Sequence, residues 1–128
     1  MIVVADHVRG TRRGTRQQFE SLQRLTIGRH ADSDVRFDGG RDIDASTRHA
    51  ELTVLPEFEA VELRDLGSSN GTWVGGEKVE SIRILVGESL EVEFGRGGPM
   101  IRFWLGAKGT SLPLQRGRAP WWRRFLRR

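Results

Sequence analysis

Three short, well-separated segments hold most of the side chains that could do chemistry. The first is Gly28-Arg29. The second is Ser46-Thr47-Arg48-His49-Ala50. The third is Asp65-Leu66-Gly67-Ser68-Ser69-Asn70-Gly71-Thr72. Between them they offer a guanidinium, several hydroxyls, one carboxamide and backbone amides left open by glycine. That set suits a phosphate monoester carried on a peptide. Arginine presents a fork of donors matched to phosphate oxygens, and such charge-assisted bonds are roughly twice as strong as neutral ones. Hydroxyls add donors without charge. An asparagine side chain has both a donor and an acceptor, so it can pair with an extended peptide backbone as a neighbouring strand would.

Catalysis is a poorer fit to the same residues. His49 could act as a general base, but no nucleophile, metal-ligand set or paired carboxylate accompanies it. His7 and His30 lie in other segments and give no metal spacing. The chain has no cysteine, which excludes disulfides, thiolate metal sites and cysteine nucleophiles. Asp32, Asp34, Asp38, Asp42 and Asp44 hint at a calcium loop, yet their spacing and the missing terminal Glu fail the EF-hand pattern. They read instead as solvated loop acids, or as acids that select a basic peptide. The expectation is a binding protein, not an enzyme, with no cofactor and no metal.

The segments that must position these groups are strands. Two-residue alternation broken by Gly, Asn, Asp and Ser recurs through the first 110 residues or so, and helical periodicity is nearly absent. Ile2-Val3-Val4 opens a strand. Residues 9–14 read as a polar hairpin turn, and 17–25 as its return. Leu25-Thr26-Ile27 is a short strand ending at Gly28, and Val35-Arg36-Phe37 is another. Residues 50–55 and 60–66 form two strands about Pro56-Glu57, with Val61 and Leu63 on one face and Glu62 and Arg64 on the other. Asn70-Gly71 supplies the positive φ angles of a tight turn. Alternation returns over 90–94 and closes over 100–105. Many short strands joined by glycine turns mean a β-sandwich or barrel.

The order, spacing and residue types of the three segments resemble the signature of the forkhead-associated (FHA) domain family. The resemblance covers roughly residues 1–105. It implies an antiparallel β-sandwich of about eleven strands, whose loops at one end bind phosphothreonine peptides. By motif, Arg29 and Ser46 would hold the phosphate, Ser69 would reach a phosphate oxygen, and Asn70 would bond the peptide backbone. His49 would brace the loop from beneath, while Gly28 and Gly71 permit the tight backbone. Two positions depart from the pattern. Thr47 stands where the family commonly has Arg, Lys or Asn, so it is either a contact or a bystander. Gly75-Gly76 stands where Asn-Gly is common. Choice of phosphothreonine over phosphoserine, also implied, needs a small apolar pocket for one methyl group, worth roughly 0.8 kcal/mol.

Charge separates the ends from the middle. The net +4 divides into +3 over residues 1–24, −5 over 25–111 and +6 over 112–128. The acidic middle argues against a nucleic-acid-binding core. Residues 106–120 read as a flexible linker rich in Gly, Ser, Pro and Arg. In residues 121–128, Trp121-Trp122-Arg123-Arg124-Phe125-Leu126-Arg127-Arg128, arginines and apolar side chains fall on opposite helical arcs. This tail is open to an anionic membrane surface, a partner, RNA or plain disorder, since eight residues make a marginal helix in water. No run approaches the ~20 apolar residues of a membrane span, and no signal peptide is evident. Arg over Lys and frequent Gly suggest a GC-rich bacterial source. The implied setting is cytoplasmic, with membrane association through the tail left open. The implied partner is a phosphothreonine-bearing protein, a Ser/Thr kinase or its substrate. The competing reading is a phosphate-independent interaction module that binds through another face or the tail.

Overall fold

A computed structural model describes residues 1–20 and 23–107. Of the linker expected over 106–120, Gly106 belongs instead to the last strand; the remainder from 108 and the basic tail lie outside the described residues. Eleven strands form two sheets. In chain order they are β1 (Ile2–Arg9), β2 (Arg16–Glu20), β3 (Arg24–Gly28), β4 (Val35–Arg36), β5 (Ala50–Leu55), β6 (Ala60–Asp65), β7 (Thr72–Val74), β8 (Glu77–Val79), β9 (Ser81–Leu85), β10 (Ser89–Phe94) and β11 (Met100–Gly106). One sheet has the order β2-β1-β11-β10-β7-β8 and the other β4-β3-β5-β6-β9. Every pair with a register is antiparallel except β3 with β4, which run parallel.

Alternation buries one face of each strand. Val61 and Leu63 are about 1% exposed, whereas Arg64 on the other face is open to solvent. Val92 and Phe94 are buried in the same way on β10, and Ile101, Phe103 and Leu105 on β11. Full burial of such side chains stabilises by roughly 1.5–3 kcal/mol each. An aromatic chain runs through this core: Phe94 lies 5.2 Å from Phe37 and 6.3 Å from Phe103.

The structure revises the strand reading in four places. Residues 17–25 are not one return strand. They split into β2 and β3, which belong to different sheets. Asn70-Gly71 lies in the turn between β6 and β7 as expected, but that turn crosses between the sheets and only Gly71 has a positive φ, 83°. A hairpin lies just beyond. Gly75 and Gly76 both have positive φ, 58° and 83°, and Val74 pairs with Glu77. That is the two-residue turn whose twist suits a hairpin. Finally, β7, β8 and β9 are strands that alternation did not reveal.

Strand direction sorts the loops. Strands β1, β3, β6 and β10 all run toward one pole, where the segments 29–34, 37–49, 66–71 and 95–99 gather. Ile2 pairs with Gly106 at the opposite pole.

Candidate functional site

Gly28-Arg29 ends β3 against the segment that precedes β5. Arg29 N–H donates to Ser46 O at 3.1 Å, His30 N–H to Thr47 O at 3.0 Å, and His49 N–H to Ile27 O at 2.9 Å. The two segments thus pair beyond the sheet proper. Gly28 is required here by proximity: a Cβ at this position would sit 2.1 Å from Thr47 O.

Arg29 is half-buried, and two of its guanidinium nitrogens are committed. Nε donates to Ala45 O at 2.6 Å and Nη1 to Gly39 O at 2.7 Å. Arg29 forms no ion pair among the described residues. A guanidinium has five donors. Carbonyl oxygens therefore fix its plane while leaving donors and a full charge for an anion.

Ser46 and Ser69 meet across the loops. Ser69 N–H donates to Ser46 Oγ at 3.0 Å, so the Ser46 hydroxyl proton is directed elsewhere. Ser69 is exposed. Asn70 donates from Nδ2 to Asp44 O at 3.0 Å, and its backbone carbonyl accepts from Trp73 Nε1 at 2.8 Å. Thr47 is exposed, and its backbone carbonyl serves the pairing with His30.

His49 ties these loops together from below. It is fully buried and packs edge-on against Phe94, with ring centroids 5.2 Å apart. Its Nδ1 accepts from Ser46 N–H at 2.9 Å. Nε2 must then carry the proton, and it donates to Gly71 O at 3.0 Å. Burial pushes its pKa below 6.5 despite that bond and the nearby Asp65 carboxylate. The ring is a neutral strut between the second and third segments. Gly71, with φ 83°, is left-handed and has Lys78 and Trp73 packed where a Cβ would lie.

Asp65 organises the third segment, a role its residue type alone did not disclose. Oδ2 accepts from the N–H groups of Gly67 at 2.9 Å and Ser68 at 3.0 Å. Oδ1 accepts from the hydroxyls of Ser68 and Thr72. Burial pushes its pKa up, but these four bonds outweigh it and the net shift is downward. Ser68 Oγ in turn accepts from Gly71 N–H at 3.0 Å.

Of the aspartates between β3 and β5, Asp32, Asp34 and Asp44 are exposed as expected, Asp38 is half-buried, and Asp42 is not a solvated acid. Asp42 is buried and accepts from Thr11 N–H and Oγ1 at 3.1 and 3.0 Å and from Asp38 N–H at 2.8 Å. Asp38 caps Gly40 and Arg41, and Asp34 holds Thr26. They shape the loop with local carboxylate-to-backbone bonds. Among the described residues no group of three or more His, Asp or Glu could hold a metal.

The site therefore combines a fixed cation, a directed hydroxyl and carboxamide groups on loops that brace each other. The FHA domain family model matches residues 25–95, more than half of the chain. The chain belongs to the FHA domain family. It is similar to the glycogen accumulation regulator GarA of Mycobacterium tuberculosis, 40% identical over 86 residues, 66% of this chain and 48% of the relative. It is also similar to the oxoglutarate dehydrogenase inhibitor of Corynebacterium efficiens, 40% identical over 68 residues, 52% of this chain and 44% of the relative. The match thus spans less than half the length of these curated relatives. Among solved structures, the FHA domain of CT664 from Chlamydia trachomatis shares the fold, with a TM-score of 0.67 at 19% identity over 84% of this chain and 100% of that one. FHA domains are phosphothreonine-binding modules, and the bacterial relatives fit the compositional expectation. No helix among the described residues is long and apolar enough to cross a membrane.

Proposed function

We propose that this chain is a phosphothreonine-dependent recognition module and that Arg29, Ser46, Ser69 and Asn70 form its binding surface. The observation that carries the reading is the preorganisation of Arg29. Its guanidinium is aligned by two backbone carbonyls and paired with no carboxylate among the described residues. A phosphate at neutral pH brings about −1.5 to −2 charge and three acceptor oxygens, which an unmodified threonine lacks. The Ser46 hydroxyl, with its acceptor side occupied by Ser69 N–H, is left to donate. Asn70 keeps its side-chain carbonyl for a peptide N–H.

The similarity to GarA and to an inhibitor of oxoglutarate dehydrogenase supports a regulatory setting. In this reading the chain docks on a phosphorylated enzyme or kinase and itself catalyses nothing. Thr47 contributes no positive charge, so the affinity rests on Arg29 more heavily than in relatives with Arg or Lys at that position.

The test is binding to a degenerate phosphothreonine peptide library, followed by anisotropy on the selected peptide. Arg29→Ala and Ser46→Ala are each expected to weaken binding at least tenfold, from the loss of charged hydrogen bonds worth about 1.5–3 kcal/mol. Arg29 also ties down Gly39 and Ala45, so Arg29→Lys, which keeps the charge, is included and urea stability is measured for all three. Binding that survives phosphatase treatment, or that Arg29→Ala leaves unchanged, overturns the reading.

A further inference from the structure

Beside the proposed phosphate site lies a second surface, made by Trp73, Lys78 and Arg96. Trp73 and Lys78 are cross-strand partners on β7 and β8, and Trp73 also faces Glu93 on β10. The indole is not free to turn: its Nε1–H holds the carbonyl of Asn70 at 2.8 Å. Arg96 lies over that ring, its guanidinium carbon 5.0 Å from the centroid, and donates from Nη1 to Gly76 O at 3.0 Å. The side-chain stem of Lys78 packs against Gly71, with Cε 2.9 Å from where a Cβ would project. Two cations thus flank an indole that is bonded to Asn70 itself.

Charge on this rim is only partly balanced from within, because Arg96 also feels the Glu93 carboxylate. Lys78 and Arg96 are exposed, and neither forms an ion pair among the described residues. Glu93 is the nearest acid by register, but it is already held by Arg9 Nη2 and by Gly97 N–H. Asp44, whose β-carbon packs on Gly95 and Gly98, is the other acid on this rim. Glu77 points to the opposite face of β8 from Lys78, since neighbours on a strand alternate. Gly75, Gly76 and Gly97 leave the neighbouring turns without side chains. A peptide seated on Asn70 would meet this patch directly.

We infer that Trp73, Lys78 and Arg96 form an acidic-residue subsite that reads a Glu or Asp flanking the phosphothreonine. This reverses the selectivity that the aspartates near the first motif suggest from sequence alone. Three of those acids are spent on backbone and hydroxyl groups, whereas Lys78 and Arg96 form a salt bridge with no carboxylate among the described residues and Arg96 bonds only a neutral carbonyl. The inference rests on the phosphothreonine reading, which it deepens by naming the partner's flanking chemistry.

The experiment compares two synthetic phosphothreonine peptides, one flanked on each side by two Glu and the other by Gln at the same positions. The native chain is expected to bind the Glu peptide about five- to tenfold more tightly, since each exposed charge pair contributes up to roughly fivefold. Lys78→Gln/Arg96→Gln should bring the ratio of the two affinities to about one. Arg64→Gln/Arg83→Gln removes the same charge from the other sheet and should preserve the preference. Equal binding of both peptides by the native chain overturns the subsite alone. So does a preference that the first double variant retains, or that the second abolishes equally. Failure to bind either phosphopeptide overturns the phosphothreonine reading and the subsite with it. Comparable binding of the unphosphorylated Glu peptide does the same.

Discussion

At the scale of single residues, the site is a set of side chains that hold one another before they hold a ligand. Gly28 shows how little room remains. Gly28→Ala would drive a methyl group into Thr47 O and should cost about 2–4 kcal/mol, measured as a fall in the urea midpoint. By contrast Gly75 has open space around it and a φ of 58°, which asparagine tolerates. Gly75→Asn should therefore raise stability by about 0.5 kcal/mol in the same assay, by narrowing the unfolded ensemble. The segments that carry Arg29, Ser46, Ser69 and Asn70 stand out because their types and spacing are unusual together, and the fold brings them to one pole. The work of Asp65 was not legible, because a carboxylate that accepts four hydrogen bonds has the same letter as one in water. Asp42 was misread for the same reason: its burial depends on Thr11, more than thirty residues away.

Elements carry these contacts into the core. Phe94, on β10, touches the His49 ring on one side and Phe37 and Phe103 on the other. Phe94→Leu should cost ~1–3 kcal/mol and also weaken phosphopeptide binding, because the strut beneath Ser46 and Gly71 loses its wall. Phe103→Leu should cost a similar amount and leave binding nearly unchanged; calorimetry on folded samples separates the two. Long alternating strands such as β5, β6, β10 and β11 could be read directly. The three-residue strands β7 and β8 could not, since three residues hold no periodicity; β3 reads as a short strand of its own, but the return read over 17–25 runs past the end of β2 into it, because the change of sheet there leaves no pattern. The parallel pairing of β3 with β4 lasts two residues and leaves no pattern at all.

For the whole molecule, acidity is the simplest global probe. His7 and His49 are buried and neutral, each with its pKa pushed below 6.5, chiefly by burial. The unfolded chain then binds more protons as the pH falls past 6.5, so stability is complete above that value and declines below it, toward the folded-state pKa values. Asp65 and Glu93 add a second decline: their pKa values are depressed below 3.8 and 4.5, so their contribution is lost only as strong acid protonates the folded form. Urea midpoints at pH 8, 6.5 and 5 should therefore fall in that order, and a flat profile would contradict the neutral histidines. The pairing of Ile2 with Gly106 has a different consequence. Entry to and exit from the sandwich are neighbours, at the pole opposite the loops, as is the turn at Pro56–Phe58 between β5 and β6. The chain can in principle be rewired, with its ends linked and a new opening cut at that turn, without disturbing one residue of the phosphate site. Any segment that continues past Gly106 begins about 23 Å from the reading pole, the length of the seven-residue β11 at ~3.3 Å per residue. It needs seven or more extended residues before it can reach back to what the loops hold.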